Sequence, residues 1–222
     1  EVSENLLIDL PQKIKKLKKR LVEKNISPQD VELLSLKGNI RKSEACAAVR
    51  FLNLNEKNIH FLNLPFYQTG KIKKNPISKV DISLTVELIN KIKPHQIFAA
   101  GDLADPHGTH KKCFEVILES LKKIKNQPYA KNCWLWLYRG AWLDWEIHEA
   151  NMAIPMSPSQ VLRKRNAIFF HQTQKDGVMY QGEDGREFWL RAEQRNRNNA
   201  QRLKNLGMTN YEAVELYKRY VY

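Results

Sequence analysis

Gln96-Ile97-Phe98-Ala99-Ala100 is a short apolar run, followed by Asp105-Pro106-His107-Gly108-Thr109-His110 and then by a helical stretch over residues 111–125. Four apolar residues in succession after Gln96 read as a buried strand, and Phe114, Ile117, Leu118 and Leu121 recur at helical spacing. A strand that hands over to a helix is the unit of a parallel sheet, whose ligands bind beyond the C-terminal strand ends. The spacing therefore predicts an α/β fold, Rossmann-like and three-layered (αβα) with a mainly parallel sheet. It also puts His107 and His110 on the ligand-binding side.

Working outward, the same alternation of helix and strand continues. Ser27-Pro28-Gln29-Asp30 reads as a cap with proline at the first helical position, and Ala45, Ala48, Val49 and Leu52 stripe a helix over 41–52. Residues 59–64 read as a strand stopped by Pro65, and 79–93 as a helix ended by Pro94. Strands are expected at 133–137 and 152–155. Beyond Ser157 the pattern turns helical: a Ser157 cap with Gln160 at the third position, a polar helix from Phe188 stopped by Gly207, and a Thr209-Asn210-Tyr211-Glu212 capping box opening a last helix. Two regions result, an α/β domain over 1–156 and a helical extension over 157–222 packed on it. The chain opens in helix with no leading strand, so the first strands of the sheet are expected to lie upstream of residue 1.

Composition narrows the class. With 222 residues and 42% hydrophobic content the chain can bury a full core, and no apolar run approaches the length of a spanning helix. Three cysteines, Cys46, Cys113 and Cys133, lack metal or redox spacing and read as buried thiols of a cytoplasmic protein. The formal charge of +13 draws much of its excess from residues 13–22, where Ile14, Leu17 and Leu21 form an apolar stripe among lysines. That is a solvated amphipathic helix; a nucleic-acid binder would add aromatic interleaving or a recognisable module, and none is present. Self-association stays open.

A neutral imidazole is the commonest ligand for zinc-type ions, and HxxH can turn both rings to one side when the second histidine opens a helix. The competing role is a loop pair that only caps the helix. Asp105 either orients an imidazole through its N–H or caps ahead of Pro106. Arg139, just after the 133–137 strand, either clamps a phosphate or carboxylate of a sugar or makes a structural ion pair. His171 reads as a satisfied core histidine. Trp134, Trp136, Trp142, Trp145 and Trp189 fit a core or domain contact, with sugar stacking by Trp142 or Trp145 as the sharper alternative.

His107-Gly108-Thr109-His110 resembles the second motif, His-Pro-Asp-His, of the LmbE/PIG-L family of metal-dependent de-N-acetylases. Residues 38–54 and Phe61-Leu62-Asn63-Leu64-Pro65 are similar to that family's arginine-then-glutamate helix and the strand after it. Residues 164–174 resemble its "K..Ai..H.SQ" segment. Residues 137–142 and 188–191 look like the subgroup fused to a NagB-like glucosamine-6-phosphate deaminase. The resemblance implies that His110 binds a divalent metal, that His107 polarises or protonates the reacting amide, that Arg41 lies on the substrate side, and that His171 stands behind the site. It implies zinc as cofactor, an amino-sugar substrate and an upstream NagB-like domain of the same polypeptide as partner. The family's first motif, His-Pro-Asp-Asp, supplies the other metal ligands and the general base, and no His-Pro dipeptide occurs in the chain. The site is therefore expected to be complete only in a longer protein, with the isolated chain inactive. The alternative in another class is a scaffold or regulatory domain of the deaminase; a basic nucleic-acid binder is a third.

Overall fold

The structure, a computed structural model, describes residues 4–23, 30–67, 74–101, 103, 108–140, 143–175 and 185–222. Two compact units are present, Glu1–Ser43 and Glu44–Tyr222. The first holds α1 (Glu4–Val22) and the start of α2 (Val31–Phe51). Asp30 opens α2 by accepting from Glu32 N at 3.0 Å and Leu33 N at 3.1 Å, and Arg20 pairs with both Asp30 and Glu32. The expected Ser27-Pro28 cap lies outside the described residues.

The second unit holds the end of α2, then α3 (Lys79–Ile92), β1 (Gln96–Ala100), α4 (Thr109–Ile124), β2 (Trp134–Tyr138), β3 (Met152–Met156), α5 (Pro158–Phe169), α6 (Phe188–Asn205) and β4 (Ala213–Tyr220). Ser78 and Asp81 form a capping box at the start of α3, and Ser157 and Gln160 do the same for α5. The fold is a mixed α/β arrangement around a four-stranded sheet of order β1-β2-β4-β3.

The sheet corrects the expectation of a mainly parallel array. β1 pairs β2 in parallel, but β4 is antiparallel to both β2 and β3, so most neighbouring pairs are antiparallel. β1, β2 and β3 still run in one direction; the reversal comes from β4 alone, inserted between β2 and β3. That insertion also corrects the helical extension, because the stretch expected to form a last helix is a central strand. Its sequence alternates, with Val214 and Leu216 on one face and Glu215 and Tyr217 on the other. The expected strand over 59–64 is likewise absent: a 3-10 turn takes Glu56–Asn58, Asn63 sits at φ 48°, and the segment has neither regular secondary structure nor a sheet partner among the described residues.

The core lies on one face of the sheet. Leu135, Leu137, Val214 and Leu216 meet Phe114, Leu121 and Ile124 of α4 and Ala200 and Leu203 of α6. Along the opposite face run Phe98, Trp134, Trp136, Tyr138 and Tyr217, fixed there by the register of β1, β2 and β4 and by a Phe98–Tyr217 edge contact at 5.3 Å. Pro155 is accommodated because β3 is an edge strand. Of the three thiols only Cys133 is buried; Cys46 and Cys113 are half-buried, and no disulfide joins them.

Candidate functional site

The C-terminal ends of β1 and β2 lie side by side, and the chain leaves them toward α4 and toward Trp145. Gly101 N donates to Tyr138 O at 2.7 Å, carrying the parallel ladder one residue past β1. A Cβ on Gly101 would stand 3.0 Å from Trp145 Cζ2, 3.0 Å from Tyr138 O and 3.1 Å from Leu137 Cβ, so only glycine lets the indole close over this turn. Trp145 is buried, its Nε1 donating to Leu137 O at 3.3 Å.

Arg139 completes this cluster. Its Nη1 donates to Gly101 O at 2.8 Å, and its guanidinium lies 3.8 Å from the Trp145 ring centroid. These contacts give Arg139 a structural role beside the substrate contact implied for it. His110 stands in the first turn of α4, half-buried, behind a Gly108 N-cap in the left-handed region at φ 63°. His107, Asp105 and Trp142 lie outside the described residues. Arg41 is exposed on α2 within the first unit.

His171 lies just after α5 and is half-buried, short of the core position expected for it. Its N–H donates to Ile168 O at 2.9 Å, and its carbonyl accepts from Gln174 N and Lys175 N at 2.9 Å each. Two residues on, Thr173 gives Glu44 both its N–H and its hydroxyl, each at 2.8 Å. The structure thus joins two stretches that carried the family resemblance, the glutamate of α2 and the segment after α5.

Behind Arg139 lies a polar network that periodicity alone does not announce. Arg195 of α6 donates to Arg139 O at 2.6 Å and to Glu215 Oε1 at 2.7 Å. The second Glu215 oxygen accepts from Lys164 of α5 and from Asn196 at 3.1 Å. Asn199, fully buried, donates weakly to Asp144 and Val214 O at 3.4 Å. Burial pushes the Asp144 carboxyl above its ordinary value, although the Trp145 N–H, Asn199, Arg195 and Arg202 pull the other way. The available signal was the stripe Ala192, Asn196, Asn199, Leu203 on α6, in which two asparagines occupy inward positions.

Among the described residues no three His, Cys, Asp or Glu side chains come close enough to hold a metal ion. The described residues therefore do not by themselves supply the donor set expected for zinc.

No protein-family model matches the chain. It is 45% identical over 222 residues to a protein of Bacteroides thetaiotaomicron named as glucosamine-6-phosphate deaminase-like, covering 99% of this chain and 33% of that one. The chain thus spans about a third of that relative's length. In fold it is similar to a conserved protein of Thermus thermophilus of known crystal structure, with a TM-score of 0.51, 14% identity, and coverage of 82% of this chain and 74% of the other. No helix among the described residues is long and apolar enough to cross a membrane.

Proposed function

We propose that this chain is one module of a larger cytoplasmic amino-sugar protein, related to glucosamine-6-phosphate deaminase-like proteins and bearing an LmbE/PIG-L-type de-N-acetylase site. The observation that carries the site is the placing of His110 in the first turn of α4, directly after β1, whose C-terminal end lies beside that of β2. In α/β sheets that edge is where ligands bind. The identity of 45% along almost the whole chain supports the link to amino sugars. The parallel β1–β2 pair with α4 against it supports a Rossmann-like three-layer domain once its remaining elements are present.

In this reading His110 is one ligand of a divalent metal, with zinc first among the candidates, and the other ligands come from outside the 222 residues. His107 and Asp105 act on the reacting amide, Arg139 stands on the substrate side, and His171 and Thr173 hold the wall behind. A NagB-like domain of the same polypeptide is the partner. The test is metal content and acetate release from N-acetylated amino-sugar phosphates, measured on the longer polypeptide beside its His110→Ala variant. The expected result is loss of bound zinc and a drop in acetate release of at least about a hundredfold. Unchanged metal and unchanged release would overturn the assignment.

A scaffold reading is favoured by one observation, the engagement of Arg139 with Gly101 O and the Trp145 ring. Under it the longer polypeptide releases no acetate while its deaminase activity survives.

A further inference from the structure

β2 reads Trp134-Leu135-Trp136-Leu137-Tyr138 and carries a large apolar or aromatic side chain at every position. A strand covered on one face alternates apolar with polar residues, whereas one covered on both faces does not. One face of β2 is sealed, Leu135 and Leu137 lying in the core with α4 and α6. On the opposite face Trp134 is 44% exposed, Phe98 of β1 48% and Tyr138 37%. Trp136, between them, is buried by its neighbours, with its Nε1 donating to Gln96 at 3.0 Å and the Trp134 ring 5.7 Å away. β1 also ends the sheet, having β2 as its one strand neighbour among the described residues, so a row of its backbone groups faces outward.

We propose that this aromatic face and the open edge of β1 are the seat of a βα segment belonging to the rest of a longer polypeptide. The strand of that segment extends the sheet beyond β1 in parallel, and its helix lays an apolar stripe over Phe98, Trp134 and Tyr138. The inference rests on the reading of the chain as one module of a larger protein, and it says where the remainder docks.

Three observations select this occupant. The Bacteroides relative has about two thirds of its length outside the matched region, which is ample for such a segment. Three partly exposed rings around the buried Trp136, beside an edge with no strand partner among the described residues, fit a continuation of the same sheet, since parallel strands reach burial on both faces through crossover helices. A second copy fits poorly: Arg219 lies on this face, 4.0 Å over the Trp134 ring, and each chain carries +13, so face-to-face pairing would bring like charges together.

The test is hydroxyl-radical footprinting and amide hydrogen exchange on the natural full-length polypeptide beside the 222-residue chain. In the short chain Phe98, Trp134 and Tyr138 label readily and the β1 edge exchanges. In the long one labelling of these rings falls about fivefold or more and β1 gains protection. Equal labelling in both overturns the proposal. So does a natural polypeptide no longer than these residues, and so does protection of the short chain that grows with its own concentration to the same level, which would identify a second copy. Acetate release plays no part in this readout, so failure of the de-N-acetylase assignment and failure of the docking assignment give different results.

Discussion

Asp81 shows how much one side chain can hold. Fully buried, it accepts from Phe66 N at 2.9 Å, from Ser78 N at 2.7 Å and from Ser78 Oγ at 2.5 Å, so it closes the capping box of α3 and also ties the turn at Pro65–Phe66 to that helix. Burial alone would push its carboxyl up, but the Ser78 hydroxyl and the Phe66 and Ser78 N–H groups outweigh it and hold it below the ordinary value. Replacing Asp81 by alanine strands two backbone donors and removes a cap. The expected loss is about 2–4 kcal/mol, read as a shift of the urea midpoint with unchanged slope. Arg139 teaches the same lesson from the other side: a residue whose position suggests an anion clamp also fastens the Gly101 turn to Trp145.

At the scale of elements, α5, α6 and β4 are joined through Glu215, which faces Lys164 and Arg195. Glu215→Gln leaves two cations, one of them mostly buried, without their anion. It should cost about 2–4 kcal/mol, less than for a wholly buried pair because the Lys164 side chain is 35% exposed. Thermal unfolding of this variant beside a Glu215→Gln, Lys164→Met double mutant checks it, the double recovering part of the loss. These elements also mark the boundary of what the sequence discloses. α3, β1, α4, β2, β3 and α5 are legible because each is bounded by a cap, a proline or a run of one periodicity. β4 is not, because Thr209–Glu212 satisfies a capping pattern and Val214, Tyr217 and Val221 fit a helical spacing as well as Val214, Leu216 and Tyr220 fit a strand. What decides between them is the gap between β2 and β3, a tertiary fact that no local pattern records. Of the candidate site, the placing of His110 at a helix start was readable from the strand-loop-helix order. The Arg195–Glu215 network was not, since its members are far apart in the chain.

For the whole molecule, acid is the informative perturbation. Asp81 and Glu193 are both held below their ordinary values, Glu193 chiefly by Arg165, against burial. A depressed carboxylate contributes stability that is present above its unfolded pKa and is lost as pH falls through the lower folded one. Asp144 has the opposite sign: burial raises it, so its ionisation disfavours the folded chain, and stability declines as pH climbs from the unfolded value through the folded one. Urea midpoints from about pH 3 to about pH 7 should therefore fall at the acid end. Asp144→Asn should remove a decline that the parent shows above the ordinary aspartate range, and an identical curve for parent and variant would refute this. The insertion of β4 between β2 and β3 matters, too, for how the polypeptide is made. On the ribosome β3 emerges before β4, its one strand neighbour among the described residues, so until β4 follows, a nascent chain carries the unpaired edges of β3 and of the aromatic β2, of the kind that chaperones meet and that adhere to one another when translation stalls.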